Sequence, residues 1–239
     1  MILRMYTISL EPEYPLWFSA DVLRSFLNRK LAEYAALHRD DTAGFIHRYP
    51  VLQCKQIKND LLVTGIGQGA DCLWQLGHDQ TVLGAGESSC RIITRDPAIR
   101  PEPFGIADTT STYEFLTPWL ALNQQHAKKF YNLKGKTERD AFMQKLLTAQ
   151  LNTLAKSLDC EVTVPITCEA KVRFNRERID RENVMVFLGK FRTNLGIPDY
   201  LGIGWSVSQG YGTIKRITGT PDIYEKNHER SPARHRCPE

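Results

Sequence analysis

One order of patterns occurs twice in this chain, and it restricts the fold more than any other feature. "ILRMYTISL" alternates as a half-buried strand does, and "ADVLRSFLNRKLAEYAAL" sets Val22, Leu23, Phe26, Leu27, Leu31 and Tyr34 on one helical face. "FIHRYPVLQCKQI" and "LLVTGIG" read as two strands joined by the turn "KND", "ADCLWQL" as a brief helix, and "TVLGAGESSCRIITR" as a further strand. After the proline-rich break "DPAIRPEPFGI" the order restarts. "STYEFLTPWLAL" reads as a strand, and "TERDAFMQKLLTAQLNTLAKSL" as a long helix capped at Thr137, with Asp140 three residues on. "EAKVRFNRERI" and "VMVFLGKFRTNL" pair as strands, and "GTIKRIT" is the last strand. The expectation is an α+β protein of tandem ferredoxin-like (βαββαβ, RRM-like) domains over residues 1–100 and 106–219. A basic tail, 220–239, follows; "YEKNHERSPARHRCPE" has almost no apolar residue and predicts weak order.

The second half shows no second helix. In its place stands "PDYLGIGWSVSQGYGTIKRI", with Gly202, Gly204, Gly210 and Gly212 inside eleven positions. Glycine costs the most entropy to order and packs no side chain, so such a stretch needs a reason. A tight turn between strands is one. A loop whose bare N–H groups face an anion is the other, with Ser206 and Ser208 adding hydroxyls and Lys215 and Arg216 adding charge.

Composition narrows the class. With 239 residues, 42% hydrophobic and 24% charged, the chain can bury a sizeable core. A formal net charge of +4 permits a polyanionic partner without requiring one. "MILRMYTISLEPEYP" brings charge too early for a secretory signal, and no run of eighteen apolar residues occurs, so a cytoplasmic protein with no membrane association is expected. Cys54, Cys72, Cys90, Cys160, Cys168 and Cys237 form no C-x-x-C pair, which speaks against a zinc cage or a disulfide framework.

Cations cluster on the strands flanking the glycine stretch: Lys171, Arg173, Arg176, Arg178, Lys190 and Arg192. Alternation places Lys171, Arg173, Asn175 and Glu177 on one side, a largely basic stripe on a fold that often serves as a nucleic-acid platform. Solvated strand faces give the same pattern.

At these residues a family resemblance enters. "IPDYLGIGWSVSQGYGTI" resembles the C-terminal glycine-rich signature of the CRISPR-associated endoribonucleases that process repeat RNA, the Cas "six" family of the repeat-associated mysterious protein superfamily. "LHRDDTAGFIHRYPVLQCKQI" resembles the N-terminal part of one branch, where a histidine after the first helix precedes a Tyr-Pro strand ending in Lys. The resemblance implies cleavage of precursor CRISPR RNA within each repeat by attack of a ribose 2′-hydroxyl on the adjacent phosphodiester. It leaves a 2′,3′-cyclic phosphate and a 5′-hydroxyl and needs neither a metal nor another cofactor. Such chemistry asks for a base, an acid and a cation near the phosphorane.

His38 matches the family's catalytic histidine. His47, Tyr49 and Lys55 share a face in an unbroken strand, with Lys55 placed to steady developing charge. The resemblance assigns RNA contacts to Gly202, Gly204, Trp205, Ser206, Ser208, Gly210, Gly212 and Lys215, beside Arg173, Lys190 and Arg192 on the strands. Two departures stand against the branch's pattern: Asp40 replaces a second histidine, and Trp205 and Gln209 occupy places usually held by basic side chains. Repeat RNA is the implied partner, with other CRISPR effector subunits or a second copy of the chain as further partners.

Two readings compete. A non-catalytic subunit that holds processed CRISPR RNA in an effector complex would share every feature except a working His38. "LLVTGIGQGAD" also sets Gly65, Gly67 and Ala70 in G-x-G-x-x-A spacing after a strand, with Glu87 about twenty residues on, as a dinucleotide-binding enzyme would.

Overall fold

A computed structural model describes residues 1–13, 20–38, 49–84, 86–179 and 182–218. The chain opens with β1 (Ile2–Pro12), α1 (Ala20–His38), β2 (Leu52–Ile57), β3 (Asp60–Ile66), α2 (Gln68–Asp79), β4 (Val82–Leu83), β5 (Cys90–Arg95) and β6 (Arg100–Pro103). It continues with β7 (Gly105–Phe115), α3 (Gln124–Asn132), α4 (Lys136–Ser157), β8 (Cys168–Ile179), β9 (Glu182–Gly196) and β10 (Ile214–Arg216).

The strands form two sheets, ordered β2-β3-β1-β5-β4 and β10-β7-β9-β8, with β6 pairing β1. Numbered within each half, the main strands run 2-3-1-4 and 4-1-3-2, the same order from opposite ends. This is the tandem ferredoxin-like architecture. Among the described residues every named strand pair is antiparallel. That overturns the dinucleotide reading, which needs parallel strands around a crossover helix. The glycines there serve packing instead. A Cβ at Gly65 would lie 2.3 Å from the Gly69 carbonyl oxygen, and Ala70 is fully buried where α2 meets β3.

Each half has its own core. Tyr6, Ile8 and Leu10 of β1 face Leu23, Leu27 and Leu31 of α1 and Leu73 and Leu76 of α2, the stripes that helical and strand periods prescribe. Leu147, Leu151 and Leu154 of α4 cover an aromatic layer on the second sheet, where Phe115 stacks on Trp119 at 5.1 Å and Phe187 meets Trp119 edge-on at 5.8 Å. The opposite face of the first sheet is also occupied: Leu3, Met5 and Ile66 join the second core. The two halves therefore share buried surface.

Local details differ from the sequence-based expectations. The N-cap of α4 is Gly135 and not Thr137, and the Glu138 carboxylate accepts from the backbone N–H of Lys134 at 3.2 Å. The strand around Cys54 begins at Leu52, so the unbroken strand reaching back to His47 is not formed; Tyr49 sits in a bend. Helix α2, with 12 residues, is a full three turns. A short amphipathic helix, α3, precedes α4 where none was expected.

Candidate nucleic-acid interface

The glycine-rich stretch is where the two halves lock together. Leu201–Ile203 and Gly212–Ile214 run side by side: Ile203 N–H donates to Gly212 at 2.9 Å, and Ile214 N–H to Leu201 at 2.9 Å. Between them a single 3₁₀ turn, Val207–Gln209, replaces the missing second helix and packs on β2 and α1. The positive φ of Gly204, Gly210 and Gly212 favours glycine, and the room around them demands it. A Cβ at Gly210 would lie 2.6 Å from the Cys54 carbonyl oxygen, and one at Gly204 would lie 2.8 Å from the Trp119 indole.

Most of the N–H groups expected to face an anion are used inside the protein. Gly202 N–H donates to the Tyr49 hydroxyl, Trp205 N–H to Leu120, Gly210 N–H to Val207 and Gly212 N–H to Pro118. Thr117 and Thr213 hydroxyls both donate to the Gly210 carbonyl, at 2.6 and 2.8 Å. The glycines here allow close backbone packing, and the stretch presents side chains outward. Trp205 is 56% exposed, Ser206 is exposed and Ser208 is half-buried.

Two of the four residues expected to serve proton transfer or charge stabilisation turn inward. The Tyr49 hydroxyl donates to the Gly202 carbonyl at 2.7 Å while accepting from the Gly202 N–H at 3.2 Å, and burial raises its pKa above the ordinary tyrosine value. It clamps the turn and does not meet solvent with its proton. Tyr49→Phe is expected to leave both buried Gly202 groups without that partner and to cost about 2 kcal/mol of stability, read by denaturant melting. A Tyr49→Phe variant of unchanged stability but lowered cleavage rate would restore the catalytic assignment.

Lys55 is 0% exposed. It shares a sheet face with Gln53 and Thr64, both also fully buried, and its ammonium nitrogen donates to Gln53 Oε1 at 2.5 Å. Loss of hydration disfavours the charged form and lowers its pKa to about 7. This leaves Lys55 with no charge to offer at the surface, against the expectation that it is placed to steady developing charge. Between pH 7 and the ordinary value of 10.5 the unfolded chain holds a proton that the folded one has released. Stability should therefore rise with pH across that window by about 1.4 kcal/mol per pH unit at most, and Lys55→Met should remove the rise, as pH-dependent urea melts would read.

His38 closes α1, and its side chain lies outside the described residues, as do His47 and Asp40 entirely. The strand cations do assemble. Lys171, Lys190, Glu114 and Lys215 stand opposite one another across β8, β9, β7 and β10, and the next row holds Glu169, Arg192 and Thr112. Arg173 is exposed on the same face, and Arg192 Nε donates to Thr110 Oγ1 at 2.6 Å. Lys215 Nζ lies 5.7 Å from the Tyr200 ring centroid. Glu114, Glu169 and Glu177 dilute the stripe, yet it remains basic. It occupies the face of the second sheet turned away from α4, because Ala170, Val172 and Phe191 on the alternate positions pack into the α4 core. The basic face and the glycine-rich turn are thus separate surfaces.

Sequence reasoning missed the wall opposite the turn. Gln150, Thr153 and Ser157 of α4, together with Tyr49 and Pro50, close a cleft of about 400 Å³ against Trp205, Ser206 and Ser208. The signal was present: positions 150, 153 and 157 make a polar stripe at helical spacing beside the buried leucines 147, 151 and 154. Among the described helices none is long and apolar enough to cross a membrane.

Comparison with known proteins places both halves. Residues 1–98 match the Cas6b N-terminal domain model and residues 105–217 the Cas6b C-terminal domain model. A solved Cas6b structure is 27% identical and superposes with a TM-score of 0.71, covering 91% of this chain and 100% of that one. A second, the CRISPR RNA processing endoribonuclease Cas6b, is 26% identical with a TM-score of 0.67 over the same shares. An uncharacterized protein of Methanocaldococcus jannaschii is 29% identical over 136 residues, 53% of this chain and 86% of that protein.

Proposed function

The chain belongs to the Cas6b family, and on that premise we propose that it binds CRISPR repeat RNA and cuts precursor CRISPR RNA by 2′-hydroxyl attack. The products are a 2′,3′-cyclic phosphate and a 5′-hydroxyl end. Residues 1–100 form the domain that supplies the proton-transfer groups, and residues 106–219 the domain that supplies the RNA contacts. The observation that carries this reading is the seating of the glycine-rich turn on α1 and β2: Trp205, Ser206 and Ser208 face outward from an element packed against the helix that His38 ends. Histidine titrates near neutral pH and can give or take the proton the reaction moves. With Tyr49 and Lys55 turned inward, His38 and His47 remain as acid and base.

Incubation with repeat RNA in EDTA, followed by analysis of fragment ends, tests the reaction. A 5′-hydroxyl fragment is expected. Tight binding without cleavage would make the protein a subunit that holds CRISPR RNA, and absence of binding would remove the RNA reading altogether.

Arg173, Lys190 and Arg192 supply phosphate contacts from the open face. Each alanine variant is expected to weaken binding of all repeat RNAs alike and to flatten the salt dependence by about 0.7 in the log–log slope for each phosphate left unpaired. Salt slopes that stay at the parental value would reduce the stripe to a solvated face.

A further inference from the structure

We infer that the cleft between α4 and the glycine-rich turn is a pocket for one unpaired nucleobase, with Trp205 as its stacking surface and Thr153 and Ser157 of α4 as the groups that read its edge. The inference rests on the RNA reading above and adds to it a site on an element, α4, to which nothing else assigns a role. Three observations carry it.

The first is charge. Among the described residues that line this cleft, none is charged. Among those residues a phosphate finds no cation and a basic ligand no carboxylate, which favours a neutral part of the RNA as the occupant. The sugar-phosphate chain has its cations elsewhere.

The second is shape and chemistry of the walls. An indole more than half exposed stands at one side, and Pro50 lies among the lining residues. Flat apolar surface beside a cleft of about 400 Å³ suits an aromatic ring, because every base has a π-face to stack. Hydroxyls ring the space: Ser206 and Ser208 from the turn, Ser157 and Thr153 from α4. Thr153 Oγ1 spends its proton on the Ala149 carbonyl at 3.0 Å and keeps its lone pairs for an incoming N–H. Hydroxyls can donate or accept, as the mixed edge of a base requires.

The third is fixation. Trp119 Nε1 donates to Gln150 Oε1 at 2.8 Å, and Gln150 Nε2 donates to the Ala121 carbonyl at 2.9 Å, which ties α4 to the segment under the turn. Trp205 N–H donates to the Leu120 carbonyl at 3.0 Å on that same segment. Ser206 is held at φ 55°, ψ 33°, a left-handed conformation uncommon for serine, at the lip of the cleft. Both walls are thereby held to one frame, which lowers the ordering cost of binding.

The test is a double-mutant cycle between protein and RNA. The parent and Trp205→Ala proteins are titrated with repeat RNAs carrying a single abasic nucleotide at each position in turn. One position is expected to lose about five- to hundred-fold in affinity with the parent and nothing further with Trp205→Ala, since both changes remove one stack. Ser157→Leu, which fills the cleft from a half-buried helix position, should weaken intact RNA similarly, keep the parental melting temperature and remove the penalty at that same abasic position. Losses that add at every position, or a Ser157→Leu variant that binds as the parent does, overturn the pocket and leave RNA processing standing. A parent that does not bind intact repeat RNA overturns the functional reading itself.

Discussion

Gly210→Ala is expected to lose about 3 kcal/mol of folding stability and about 10 °C in melting temperature, while the molecules that remain folded should bind repeat RNA within a few-fold of the parent. The methyl group would sit 2.6 Å from the Cys54 carbonyl oxygen and 2.8 Å from the Lys55 Cα, both backbone atoms of a paired strand that cannot step aside. The residue also holds φ at +87°, which an L side chain adopts at a cost of about 1–2 kcal/mol. Its carbonyl accepts from two buried threonine hydroxyls, so any shift of the turn breaks those bonds together. The glycine stretch alone suggests the opposite result, an affinity loss with folding intact. Thermal melts and low-temperature RNA titration of the one variant decide between them: a preserved melting temperature with reduced affinity would return the glycines to direct RNA contact.

His38→Ala is expected to slow single-turnover cleavage of repeat RNA at least about a hundredfold and to leave affinity nearly unchanged, the signature of a group that acts on the proton and not on the ligand. The histidine ends a helix whose core stripe is Leu23, Leu27 and Leu31, and the substitution leaves that stripe intact. A parental rate in His38→Ala would move the chemistry to another residue, with His47 the next to substitute.

Much of the fold could be read from local pattern. Period-two alternation in "ILRMYTISL" and "KVRFNRER" reports strands, and the leucine spacing of α1 and α4 reports amphipathic helices; each signal lies within a short run of neighbouring residues. The tandem order of those signals leaves few topologies, and the ferredoxin-like one is realised twice. The helix start was misplaced because Glu138 can serve a cap at Gly135 through its own carboxylate, a choice that Thr137 and Asp140 do not reveal. The site was legible in part. Trp205, Ser206 and the strand cations stand on the surface, where expected, and the row Lys171–Lys190–Lys215 follows from register once the sheet order is known.

By itself the sequence determined which segments are strands and helices, that they come in two like sets, and that a glycine-rich turn replaces one helix, because propensity, period and backbone freedom are properties of neighbouring residues. Only the tertiary structure decided what covers the second face of the first sheet. That face meets the other half of the chain, so Lys55 on it became a buried amine, Tyr49 a clamp on Gly202, and the glycines at 204, 210 and 212 a means of close approach. A residue's exposure depends on surface brought from more than a hundred positions away, and no local pattern carries that information.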